Sequence, residues 1–159
     1  MWYCSPQFVH AAMLLGAAKL LKQYEDELDG CVKLMFQPNE EGTSPKRINR
    51  SEAMVDAGLM KNPDVDTAIS LHIMSGLFPN GSVITRKGPL NNPEFTEKIM
   101  NYSEELLGYP CELIEFPMSG SDDLSIISQA VPTCYLILGN GNSEEGYIYP
   151  HNNPNVLFN

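Results

Sequence analysis

At 159 residues, with 43% hydrophobic and 19% charged side chains, the chain is long enough for one domain with a real core and ordinary for a soluble globular protein. Its formal charge of -10 argues against a nucleic-acid backbone or an anionic membrane as partner, because both would repel it. No apolar run approaches the ~20 residues needed to cross a bilayer, and no basic region followed by an apolar segment marks a secretory signal.

In chain order, Ala11, Leu14, Leu15, Ala18 and Leu21 recur at helical period in an alanine-rich stretch. They predict a helix from His10 to about Lys22, continuing to Leu28 and stopped at Asp29-Gly30. Cys31–Phe36 is short, apolar and β-prone, and reads as a strand that Pro38 ends abruptly. Ser51 opens a second helix, with Glu52 in its first turn and Gly58 as its stop. Asp66–Ile73 is a strand and Gly81–Thr85 a shorter one. Pro93 suits the first position of a third helix that runs to Gly108. Cys111–Phe116 is a strand, Ser121 caps a short helix ending near Gln129, and Thr133–Leu138 is an apolar strand. Gly139-Asn140-Gly141-Asn142 reads as a glycine-rich loop. Strands alternating with helices, several of them apolar on both faces, predict an α/β fold: a mixed, largely parallel sheet covered by helices in three layers.

Four cysteines are scattered without CxxC spacing. Cys31, Cys111 and Cys134 lie in apolar, strand-like surroundings, which suits reduced, buried thiols in a cytoplasmic protein.

The chemistry concentrates in Gln37-Pro38-Asn39-Glu40-Glu41-Gly42. Neighbouring side chains leaving a strand point to different sides, so Glu40 and Glu41 are suited to divide labour, one gripping a cation and the other handling a proton. A solvated turn closed by glycine is the competing reading. His72 ends its predicted strand, and ligands collect at strand ends in open α/β sheets; it is either a metal ligand or a core histidine bonded to a carbonyl. His151, in the irregular Tyr149–Pro154 segment, reads alone as a surface histidine. His10, at the start of an alanine-rich helix, reads as structural or as a terminus residue.

Taken together, the runs His10–Leu21, Val32–Gly42 and Leu71-His72-Ile73 resemble the metal-dependent amidohydrolases and metallopeptidases of the aminoacylase/carboxypeptidase type. The branch of hippurate hydrolases, N-acyl-amino-acid deacylases and auxin-conjugate hydrolases is the most similar. Ala57-Gly58-Leu59, Gly81–Thr85, Gly88-Pro89-Leu90, Ser119–Ser125 and His151–Pro154 fall in the family order as well, so the resemblance spans nearly the whole chain.

The resemblance implies a zinc-peptidase-like catalytic domain that hydrolyses N-acyl amino acids or dipeptide-like substrates with divalent metal. Glu40 matches the general base; Glu41, His72 and His151 match metal ligands. Two imidazoles and one carboxylate form a known catalytic zinc set with one position open, although manganese, cobalt or nickel also suit these donors. Asp122 and Asp123 match an acidic stretch near the site, as supporting or helix-capping residues.

Three departures from the family pattern shape the expectation. The Cys-Gly-His-Asp that normally precedes the helix, and carries two ligands, is replaced by Cys4-Ser5-Pro6-Gln7-Phe8-Val9, with Cys4 one residue out of register. At most one ion, held weakly, is therefore expected. The long segment that precedes this point in relatives is missing, so a partial catalytic domain with an exposed sheet edge prone to self-association is expected. Finally, Gly88-Pro89-Leu90 runs straight into Asn91-Asn92-Pro93, where relatives insert a satellite domain used for dimerisation and for closing over substrate; residues 1–159 are thus expected to form one domain lacking that insertion at about 90–92. Two functions follow: an impaired metal-dependent amidohydrolase, or a truncated, catalytically inactive relative serving as a binding or interaction module or left by a decaying gene.

Overall fold

The computed structural model describes residues 6–37, 50–115, 124–150, 153 and 155–158. Its elements run α1 (Pro6–Gln23), a short 3-10 turn (Glu25–Glu27), α2 (Arg50–Asp56), β1 (Ala68–Gly76), β2 (Val83–Arg86), α3 (Pro93–Leu107), β3 (Glu112–Ile114), α4 (Leu124–Ala130) and β4 (Thr133–Asn142). The four strands form one mixed sheet in the order β1-β4-β2-β3, flanked by helices. β2 and β3 are parallel, with Ile84 opposite Glu112, Thr85 opposite Leu113 and Arg86 opposite Ile114. This is the α/β architecture that alternating strands and helices imply.

Residue proximity divides the chain into two compact units, and the division falls within β1 and β4. One unit comprises Gln37–Leu71 and Val83–Ile137. Its core is Val83 and Ile84 of β2, Leu90, Cys111, Leu124 and Ile127 of α4, and Cys134–Ile137 of β4. Thr133–Ile137 are buried on both faces of the strand, which is why this stretch is an unbroken apolar run rather than an alternating one. Burial raises the pKa of both free thiols here. For Cys111 the Glu104 carboxylate reinforces the effect.

α3 owes its limits to local chemistry. Asn92 Oδ1 accepts the Phe95 N–H at 2.9 Å, Pro93 occupies the first turn, and Gly108 takes the left-handed conformation (φ 76°) while its N–H reaches Glu104 O. Residues 87–92 join β2 to α3 through Asn91, which is buried. Its Nδ2 donates to Thr85 Oγ1 (3.1 Å) and Arg86 O (2.7 Å), and its Oδ1 accepts the Tyr135 N–H (2.6 Å). Asn92 N–H adds a bond to Thr133 O at 2.9 Å.

The other unit comprises Met1–Phe36, His72–Ser82 and Leu138–Asn159. Within it Gly139 exchanges backbone bonds with the 81–82 segment: Gly81 N–H to Gly139 O (2.9 Å) and Gly139 N–H to Ser82 O (2.8 Å). Glu145 accepts from Asn80 N–H and Asn142 N–H, both at 3.0 Å through Oε2, and so ties the end of β4 to the 79–82 turn.

Four expectations change. The first helix does not continue to Leu28: α1 ends at Gln23, and Glu25–Glu27 form a separate 3-10 turn. Cys31–Phe36 forms no strand; Val32, Leu34 and Phe36 are exposed and so is Cys31, which is therefore not a buried thiol. β propensity describes fit to a pleated, half-buried surface, and this segment acquires no such surface. Residues 139–142 are not a loop but the last residues of β4. Their glycines answer to packing: a Cβ at 139 would collide with Pro79 O and Ser82 Oγ, and one at 141, where φ is +98°, with the Tyr147 ring. His72 lies in mid-strand, because β1 continues to Gly76.

Candidate functional site

His72 is the one predicted ligand among the described residues. Glu40, Glu41, His151, Asp122, Asp123 and Cys4 lie outside them. β1 is an edge strand among the described elements, so its outward amides have no neighbouring strand there to bond. α1 supplies one acceptor: the Ile73 N–H donates to His10 Nε2 at 3.0 Å. The same imidazole lies against the His72 ring, with centroids 4.5 Å apart and planes tilted by 58°.

That geometry fixes a tautomer. A neutral imidazole accepts at one nitrogen and donates at the other, so a His10 that accepts at Nε2 carries its proton on Nδ1. The His72 ring is half-buried and its Nδ1 is shielded from solvent. Imidazole in such a setting is a fitting donor to a divalent cation. Among the described residues, no three His, Cys, Asp or Glu gather closely enough to hold a metal ion. The donor chemistry thus fits at the one ligand position that is described.

A separate pocket of about 430 Å³ is lined by residues 89–93 and 128–133. It contains no titratable group, and its side chains are already bonded: Thr133 Oγ1 to Val131 O, Ser128 Oγ and Gln129 Nε2 to Ser125 O. It carries no chemistry of its own. No described helix is long and apolar enough to cross a membrane.

Sequence reasoning sets His10 aside as structural and misses its link to His72. No spacing signal exists to find it, since the two partners of the hydrogen bond are 63 residues apart.

The sequence model described as peptidase family M20/M25/M40 matches residues 7–157. Among curated proteins the chain is similar to IAA-amino acid hydrolase ILR1-like 4 of Arabidopsis thaliana, 44% identical over 81 residues, covering 51% of this chain and 17% of the relative. It is 46% identical over 88 residues to the indole-3-acetyl-aspartic acid hydrolase of Enterobacter agglomerans, covering 51% of this chain and 18% of that protein. It is 48% identical over 75 residues to a p-aminobenzoyl-glutamate hydrolase chain of Escherichia coli, covering 47% of this chain and 15% of that protein. The matched segments thus span less than a fifth of these relatives.

Proposed function

The chain belongs to peptidase family M20/M25/M40, and on that premise we propose that it provides the catalytic fold of a metal-dependent hydrolase cleaving the amide bond of N-acyl amino acids or dipeptide-like substrates. The family match from residue 7 to residue 157 carries this reading, because it takes in the Glu40-Glu41 pair and both His72 and His151. The relatives' names agree with the substrate class: indole-3-acetyl-aspartic acid and p-aminobenzoyl-glutamate each join an aryl or indolyl acid to an acidic amino acid through an amide.

In this reading Glu41, His72 and His151 hold one divalent ion (zinc, manganese, cobalt or nickel). Held there, such an ion would supply Lewis acidity towards the amide carbonyl and would lower the pKa of water towards ~7. Glu40 takes the proton from the attacking water and passes it to the leaving amine, a role that contributes about 10²–10⁴-fold. Asp122 and Asp123 support these groups. The short 87–92 connection between β2 and α3 supports the reading that the satellite domain of relatives is not inserted at 90–92. The small-molecule substrate, the lack of nucleic-acid or membrane partners, self-association through the exposed sheet edge and a cytoplasmic location belong to the same proposal.

The replacement of the Cys-Gly-His-Asp pattern by Cys4–Val9 favours a second reading, a weakly active or inactive relative that serves as a binding module. Turnover of a hippurate-like substrate and of indole-3-acetyl-aspartate, with each of the four metals, separates the two. We expect weak or no turnover and at most one retained ion after dialysis. Strong turnover abolished by Glu40→Gln would establish the enzyme and refute impairment. Two retained equivalents would show that the ligand set is larger than the three named.

A further inference from the structure

We propose that His10 is a positioning residue for His72, fixing both the backbone that carries it and the plane of its ring. The inference rests on the reading of His72 as a metal ligand and adds a residue to that reading. The peptide plane whose N–H belongs to Ile73 begins at the carbonyl of His72. When that N–H is held at 3.0 Å by His10 Nε2, the ψ angle of His72 is set, and with it the direction in which the side chain leaves the strand. The ring contact at 4.5 Å then limits the side chain's own rotation. One imidazole therefore restrains a neighbouring one at two points, and both restraints come from α1.

His10 is not itself a ligand in this arrangement. Its Nε2 lone pair is committed to the Ile73 amide, and its Nδ1 bears the remaining proton, so the neutral ring has no free lone pair to offer a cation. Partners that orient a ligating histidine usually act by accepting from its second nitrogen; here the hold is on the strand amide and the ring face. The edge position of β1 makes the arrangement necessary. Among the described elements no strand lies on that side, so the ladder that would otherwise hold the outward amide of residue 73 is missing.

The test begins with the metal-free chain. In His10→Ala the Ile73 amide and the His72 ring signals in NMR are expected to shift, with the helical signal of α1 retained. His10→Gln, whose carbonyl can accept the same N–H, restores the Ile73 signal. His10→Phe keeps the ring contact only and does not. Signals unmoved in His10→Ala would overturn the proposal without any metal being involved. Titration with cobalt(II) alone, followed by its visible absorption, reads the consequence. His10→Ala and His10→Phe weaken binding by about 10–100-fold, the range for loss of a group that orients a ligand, and His10→Gln recovers it. Parent-like cobalt affinity in His10→Ala overturns the positioning role. Parent-like affinity in His72→Ala instead overturns the ligand reading on which it rests. Should His10→Ala unfold the chain, the Gln and Phe variants make the same decision between them.

Discussion

Asn91 Oδ1 accepts the backbone N–H of Tyr135 at 2.6 Å, joining the crossover after β2 to the middle of the apolar run in β4. One buried side chain thus satisfies three groups, since its Nδ2 also reaches Thr85 Oγ1 and Arg86 O. Asn91→Ala removes the hydrogen bonds that its side chain makes with the Tyr135 N–H, Thr85 Oγ1 and the Arg86 carbonyl. Each such loss costs about 1–3 kcal/mol, so the variant is expected to lose about 3 kcal/mol in urea unfolding. Asn91→Asp keeps the acceptor but cannot donate to Arg86 O, and falls between the two.

Gly141→Ala is expected to destabilise the chain by about 2–4 kcal/mol, combining a left-handed backbone angle with overpacking against Tyr147. Gly16→Ala provides the contrast. It sits inside α1 with nothing near its missing Cβ, so the helix gains about 0.5–1 kcal/mol from lower backbone freedom in the unfolded chain. Thermal unfolding of the two variants should move the midpoint in opposite directions.

Alkaline pH should weaken the fold through Cys134. Burial raises this thiol above its ordinary value of 9.0. The folded chain then holds the proton to higher pH than the unfolded chain does. The contribution is complete below the unfolded value and is lost as pH rises through the folded one. Urea unfolding at about pH 8 and about pH 10 should show a larger loss for the parent than for Cys134→Ala.

The exposed run Val32, Leu34 and Phe36 predicts an effect on association rather than stability. Changing all three to serine should alter unfolding free energy by less than about 0.5 kcal/mol, as for other exposed positions. The same variant is expected to show less concentration-dependent association in sedimentation than the parent.

How much was legible depended on whether the deciding interactions were local. The limits of α3 were readable because Asn92, Pro93 and Gly108 act within a few residues of the turns they set. Gly139 and Gly141 misled for the opposite reason. Glycine-rich sequence ordinarily signals a loop, but here it answers to Pro79, Ser82 and Tyr147, which the chain brings in from elsewhere. Cys31–Phe36 has the composition of a strand and lacks the surroundings that would make it one. At the candidate site, the Leu71-His72-Ile73 run marks His72 in the sequence, whereas the role of His10 lies in the contact of α1 with β1, between residues far apart in the chain.

The last residues of β4 have a practical consequence for anyone diversifying this protein. Most strands accept exchange among aliphatic side chains at some cost in packing. At 139 and 141 the room is already occupied by a carbonyl, a hydroxyl and an aromatic face. A saturation library across the strand should therefore return two blank columns, and an insertion or chemical handle is better placed elsewhere.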